Sequence, residues 1–251
     1  MTRVPDALAK DLAWEAELGR VLRSLATSGV ETLLLKGAAY RGREYALGER
    51  PAEDADLLVR PRDFRRAAAA LRTCGYTVHL RAEAQAERPG PFPFRIDLHE
   101  RLYPGSDAGL WERSEPVLVA GAAGQRLSAP DAFAYALWHG AIRHAAVSER
   151  LLEDLHRIAR GGKKDFWVGA LAEIRLRGLV PAAAEVLPLL VGRGVRIPRT
   201  RLNGKAWMRW GLRRGPRGGT GHLLMALSSP DPWRAAGRLA RSARNRICRG
   251  K

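Results

Sequence analysis

Two kinds of residue pattern divide this chain, and together they predict an α/β (α+β) half followed by an all-helical half. Up to about residue 127, short apolar runs punctuated by glycine and proline alternate with segments of helical spacing. From Ser128 onward the apolar residues recur at helical spacing alone. The domain boundaries that follow are 1–127 and 128–251. A third observation sits inside the first half: two acids, Asp54 and Asp56, alternate along a stretch that otherwise reads as a buried strand.

Residues 6–28 carry apolar side chains at helical spacing, and Ser28-Gly29 supplies the stop. ETLLLKG (31–37) reads as a short buried strand ending at Gly37, AAYRGREYAL (38–47) as a helix and GERPAE (48–53) as a loop. DADLLVR (54–60) is a second strand. Pro61 opens a helix over 61–75, because proline is tolerated in a first helical turn and Gly75 suits the C-terminus. YTVHLRA (76–82) is a third strand, ERPGPFP (87–93) a turn or mobile loop, and FRIDLHERL (94–102) a fourth strand. PVLVAGAAGQRLS (116–128) makes a hairpin or strand pair. In the second half, 128–161, 165–178 and 180–192 read as helices. The end, 232–251, reads either as a basic amphipathic helix with Trp233, Leu239 and Ile247 on its apolar side or as a frayed terminus.

At 251 residues and 46% hydrophobic content the chain can bury a real core, which excludes a disordered protein. No run of 18 or more apolar residues occurs, and the first residues lack the apolar stretch of a signal peptide. Cys74 and Cys248 lie far apart and indicate neither a disulfide framework nor a zinc site. The expectation is a soluble, cytoplasmic protein with no membrane partner. The formal charge of +17 is lopsided. Residues 1–125 hold 18 bases and 18 acids, whereas 126–251 hold 25 bases and 8 acids. Such a basic half attracts polyanions such as RNA, or an acidic partner, in a salt-dependent way. The plainer alternative is a solvated arginine-rich end, since charge alone names no ligand.

Side chains at i and i+2 of a strand share a face. Asp54 and Asp56 therefore project together while Ala55, Leu57 and Val59 face the opposite way. Two adjacent carboxylates repel each other unless a cation joins them, and hard oxygen ligands suit magnesium that is also held by nucleotide phosphates. Asp97, with His99 beside it, lies between Ile96 and Leu98 on the fourth strand. A third carboxylate there would complete a metal shell and accept a proton from an attacking hydroxyl.

Strand–Lys36-Gly37, a helix, Arg50 four residues before Asp54-x-Asp56-Leu57-Leu58-Val59, a helix ending before Gly75-Tyr76, then Asp97-Leu98-His99 resembles the uncharacterised nucleotidyltransferases of the DNA-polymerase-β-like superfamily. The likeness is strongest over about residues 30–102; His139, His144 and Asp154-Leu155 fit the helical outline of the second half. It implies a nucleotidyltransferase-type mixed sheet with flanking helices that binds a nucleoside triphosphate (NTP, ATP among them) and two Mg2+ ions. It further implies that Asp54 and Asp56 bridge both metals and that Asp97 holds the catalytic one and helps deprotonate the acceptor. Lys36, Gly37 and Arg50 are then the triphosphate contacts. The superfamily's usual Gly-Ser is Lys36-Gly37 here, a form this family shares; a lysine supplies a point charge where a hydroxyl would donate, and glycine permits close backbone approach. For Arg50 an ordinary loop arginine remains the alternative reading.

His139 and His144, five residues apart on an expected helix, do not share a tight face; they read as core or interhelix groups, or as contacts to the acceptor. His99 reads as a partner of Asp97, Glu53 as loop surface. Trp207 and Trp210, near Arg209, Arg213 and Arg214, read as helical packing or as stacking platforms for bases.

The expectation is a magnesium-dependent enzyme moving a nucleoside monophosphate (NMP) to an acceptor hydroxyl and releasing pyrophosphate. The helical half would shape the acceptor site, with RNA (a tRNA end included), a peptide or a small metabolite as candidates. The alternative is a non-catalytic protein on the same fold that holds RNA or an acidic partner. A γ-phosphate transferase is a third reading, distinguished by its leaving group.

Overall fold

Helix α1 (Val4–Thr27) buries Leu18, Val21, Leu22 and Leu25 completely, the i, i+3, i+4, i+7 stripe that its spacing dictates. The computed structural model describes residues 4–51, 54–80, 84–90, 93–103 and 107–200, with isolated positions between 202 and 212. Two compact units emerge: one runs to Leu102 and resumes up to Ser128, and the other comprises the chain from Ala129 together with Tyr103.

The first unit is built on a seven-stranded sheet. In chain order the strands are β1 (Thr32–Leu34), β2 (Ala55–Val59), β3 (Thr77–Leu80), β4 (Ala84–Arg88), β5 (Phe94–His99), β6 (Glu115–Val119) and β7 (Ala122–Arg126). Across the sheet they lie in the order β3-β4-β5-β2-β1-β7-β6. β2 and β5 are parallel, as are β1 and β7; all other neighbours run antiparallel. This is the mixed sheet with flanking helices that the resemblance implied. Every residue of β2 is buried, as befits a central strand covered on both faces. Helix α1 packs on β7 and on α3 (Phe64–Thr73), which a single 3-10 turn, Pro61–Asp63, introduces. Gly19 lets α1 approach the β6–β7 turn: a Cβ there would sit 2.8 Å from the Val119 carbonyl oxygen.

Several boundaries differ from the sequence expectation. The first strand stops at Leu34, and Lys36-Gly37 opens a short helix, α2 (Lys36–Tyr40), instead of closing the strand. The helix expected over 38–47 ends at Tyr40, where Arg41 turns extended, and turns occupy most of the chain onward to Glu49. The segment before the Pro/Gly-rich turn is not connecting loop: Ala84 and Ala86 bury their methyls while Gln85 and Glu87 face out, forming β4 between β3 and β5. Of the described residues of that turn, Pro89, Gly90 and Pro93 are irregular. The last expected strand ends at His99, three residues early. The 116–128 segment does form an antiparallel hairpin, β6–β7.

The second unit holds α4 (Ala129–Leu137), α5 (Glu149–Ala159), α6 (Lys164–Leu176) and α7 (Val180–Gly192). The helical run expected over 128–161 breaks in two. After α4 the chain continues through π-type turns, Trp138–Arg143, and α5 restarts at Ser148, whose hydroxyl caps it by accepting from the Leu151 amide at 3.1 Å. Phe133, Phe166 and Trp167 meet edge to face in the core. Among the described residues no helix is long and apolar enough to cross a membrane. The expected basic helix over 232–251, Glu53, and Trp207, Trp210 and the arginines near them lie outside the described residues.

Candidate active site

The acid-bearing strands are neighbours. β2 and β5 pair in parallel with Asp56 directly opposite Asp97 and Ala55 opposite Ile96. Asp54 immediately precedes β2. Alternation along FRIDLH puts Arg95, Asp97 and His99 on one face and buries Phe94, Ile96 and Leu98 on the other. That face contains most of the site's charge.

Asp56 is the most enclosed of the three carboxylates. Its Oδ1 accepts from Lys36 Nζ at 2.6 Å and lies 3.0 Å from His99 Nε2. Burial alone would raise this carboxyl, but the His99 hydrogen bond and the Lys36 charge outweigh it and hold the group at about 2. Asp97 responds the other way. Burial raises its carboxyl, and the negative charges of Asp56 and Asp54 add to the effect, only partly offset by His99 and Arg95. Asp54 receives Arg95 Nη2 at 3.2 Å, and Asp97 faces Gln85 Nε2 at 3.4 Å, a residue that lies opposite it on β4.

Each carboxylate is thus engaged by a different partner, and no group of three or more His, Cys, Asp or Glu among the described residues is gathered as a metal-ligand cluster. The chemistry of the donor set nevertheless fits a hard divalent cation. Three carboxylates lie at adjacent positions of two paired strands, and their mutual repulsion is what helps push Asp97 up.

Lys36 owes its position to the β1–α2 junction. Its backbone sits in the left-handed region, φ 47°, where a non-glycine residue costs roughly 1–3 kcal/mol. The Leu35 amide donates to the Asp56 carbonyl at 3.0 Å, so the junction is bonded to the strand carrying the acid. Gly37 then allows Arg50 to lie against the turn: a Cβ on Gly37 would come within 2.2 Å of Arg50 Nη1. The Arg50 guanidinium also stands over the rings of Tyr40 and Tyr45, 5.5 and 5.6 Å from their centroids.

What holds Arg50 there is a buried clip. Arg41 Nη2 donates to Asp11 Oδ1 at 2.5 Å and to the Arg50 carbonyl at 3.1 Å, while the Gly48 amide donates to Asp11 Oδ2 at 2.6 Å. The Arg41 guanidinium lies 4.4 Å from the centre of the Trp14 ring. Two residues of α1 therefore anchor the loop that delivers Arg50.

Of the residues singled out in the sequence, Lys36, Gly37, Arg50, Asp54, Asp56, Asp97 and His99 all belong to the sheet unit. His99 Nε2 lies 3.0 Å from Asp56 Oδ1, across the strand pair, and its charge also offsets the rise at Asp97 on its own strand. Arg95 and Gln85 were missed. The alternation Arg95-x-Asp97-x-His99 was readable; Gln85 required knowing that its segment is a strand.

In the helical unit, His139 and His144 do share a face, contrary to expectation. In α geometry they would not, but the His144 amide donates to the His139 carbonyl at 3.1 Å, a bond spanning five residues. The rings stand 4.4 Å apart with their Nε2 atoms at 3.2 Å, and Tyr135 and Trp138 stack nearby at 5.9 Å. Asp154 is buried on α5.

The mixed sheet sets the acids on paired central strands with a lysine-glycine turn beside them. The family described as "Uncharacterised nucleotidyltransferase" matches residues 2–191, and the chain belongs to it. Its class of reaction is transfer of a nucleoside monophosphate. No curated protein matches the sequence. Among solved structures, the solution structure of the antibiotic-resistance factor ANT(2'')-Ia aligns at TM-score 0.49 and 12% identity, covering 74% of this chain and all of that one (100%). The crystal structure of ANT(2'')-Ia in complex with adenylyl-2''-tobramycin aligns at 0.44 and 14% identity over 63% and 95%. An antigenic nucleotidyltransferase-like protein from Paracoccidioides brasiliensis aligns at 0.44 and 12% over 74% and 94%.

Proposed function

We propose that the protein is an NTP-dependent, magnesium-dependent nucleotidyltransferase that joins an NMP to an acceptor hydroxyl and releases pyrophosphate. The observation that carries this reading is the register of β2 and β5, which sets Asp56 opposite Asp97 with Asp54 just ahead. Asp54, Asp56 and Asp97 would hold two Mg2+ ions, whose chemistry is to neutralise charge on the entering and leaving oxygens of an in-line displacement.

The chain's own residues do the rest. Lys36, the Gly37 turn and Arg50 bind the triphosphate, two cations flanking a backbone stretch without a side chain. Asp97 is the proton acceptor: burial and the charges of Asp56 and Asp54 raise its carboxyl, whereas that of Asp56 is lowered. The acceptor oxygen forms its bond to the α-phosphorus, the bond from that phosphorus to the bridging oxygen breaks, and the acceptor's proton passes to an Asp97 carboxylate oxygen. His99 keeps Asp56 ionised and oriented through its hydrogen bond. Residues 1–127 form the catalytic domain in this reading and residues 128–251 recognise the acceptor, an RNA, peptide or small metabolite.

The test is incubation with each α-labelled NTP plus total RNA, peptide and small-molecule fractions. Label should enter one fraction with pyrophosphate released, only when magnesium is present. Release of nucleoside diphosphate instead would make the protein a γ-phosphate transferase. RNA binding with no NTP binding by calorimetry, with or without magnesium, would make it a binding module.

A further inference from the structure

We infer that Lys36 is a built-in counter-cation of the acid site: its ammonium compensates Asp56 while the site lacks a divalent ion, and it leaves for the donor's phosphates when that ion arrives. The inference rests on the proposed metal-binding role of the three acids and adds an energetic coupling to it.

Three observations carry it. First, of the lysine and arginine partners of the acids, Lys36 is the tight and enclosed one: Nζ to Asp56 Oδ1 is 2.6 Å with side chains 22% and 5% exposed, beside the His99 contact at 3.0 Å, whereas Arg95–Asp54 spans 3.2 Å with both partners a third or more exposed, 43% and 34%. Exposed pairs contribute little, so removing Lys36 alters the charge balance of the acids far more than removing Arg95. Second, Lys36 occupies a strained left-handed backbone position at φ 47°, which is maintained where the side chain has a definite place to go. Third, the lysine side chain is the more exposed partner of the pair, and the turn it opens lies against the Arg50 guanidinium. An arriving polyphosphate therefore meets Lys36 and Arg50 together, without first displacing Asp56.

The consequence is linkage. A cation entering beside Asp56 competes with the ammonium, so it binds weakly alone. A polyphosphate that draws Lys36 away removes that competition, and by reciprocity the cation strengthens polyphosphate binding by the same factor. Lys36 is thus a positioning residue that makes metal and donor bind as a pair.

The experiment measures binding of Mn2+ alone, by loss of the free-ion electron paramagnetic resonance signal, to the full chain and to Lys36→Met, Lys36→Gln and Lys36→Arg. The neutral variants are expected to bind Mn2+ about tenfold more tightly than the parent, and the arginine variant within about threefold of it. Neutral variants that bind no better than the parent, while Asp56→Asn abolishes binding, would overturn the counter-cation role and leave the metal site standing. Absence of Mn2+ binding in every protein, with or without a non-hydrolysable NTP, would overturn the metal reading itself. A second measurement needs no substitution: acetylation of the Lys36 amine in the parent protein should speed up severalfold when Mn2+ saturates, and an unchanged rate would equally overturn the inference.

Discussion

In the sheet unit, charged side chains meet because strand alternation and register bring them together; in the helical unit, His139 and His144 meet because the helix departs from α geometry. Asp56 and Asp97 stand on regular, fully paired strands, so their relative placement is as rigid as the ladder between β2 and β5. The histidine pair depends on one widened turn. Polar groups placed on rigid strands suit chemistry that needs fixed geometry, whereas a widened helical turn is a local device that a neighbouring substitution can unmake.

The widest gap between the two regions is expected in activity. Asp56→Asn should lower nucleotidyl transfer by at least about 10²-fold, the scale of losing one charge-stabilising group, with the circular dichroism of the fold retained. His139→Ala and His144→Ala should leave NTP binding unchanged by calorimetry and alter only the dependence on acceptor concentration. Full transfer activity in Asp56→Asn would remove the sheet unit's claim to the chemistry.

Next in size is the clip beneath Arg50. Arg41 and Asp11 are both nearly buried, so Arg41→Met strands a carboxylate and should cost roughly 3–5 kcal/mol in urea unfolding. A loss below 1 kcal/mol would mean the loop is held by something else.

A pH effect follows from the opposite shifts of the paired acids. Asp56, held at about 2 against an ordinary 3.8, gives stability that is fully present above its ordinary value and is lost as pH falls through the folded one. Melting temperature should therefore drop between about pH 4 and about pH 2, and Asp56→Asn should flatten that limb. Asp97 has the reverse sign, since its charged form is the one disfavoured in the fold. In Asp56→Asn its carboxyl should titrate nearer the ordinary range by NMR, because one of the two repelling charges is gone.

The smallest effect expected is at the surface. Arg60 bonds Glu31 at 3.0 Å with both side chains well exposed, so Arg60→Ala should change stability by under about 1 kcal/mol, part of it from the lost contact with the Trp111 ring.

Much of this was legible in the residues. The long apolar stripe of α1, the buried run Leu57-Leu58-Val59 and the hairpin near the end of the first half follow from periodicity. β4 was not, because Ala-Gln-Ala-Glu-Arg has weak strand propensity and forms a strand by pairing on both sides with β3 and β5. The start of α2 at Lys36 was hidden for a related reason: Lys36 adopts a conformation its own propensity disfavours, and long-range bonds to β2 hold it there.

Sequence alone singled out Asp54, Asp56 and Asp97 as candidates and gave the strand faces that present them, because alternation is a local property of an extended chain. Tertiary structure decided that Asp56 stands against Asp97, that His99 and Lys36 both serve Asp56, and that Arg50 lies over Gly37. Those pairings depend on which strands become neighbours and in what register, and no window of a few residues contains that information.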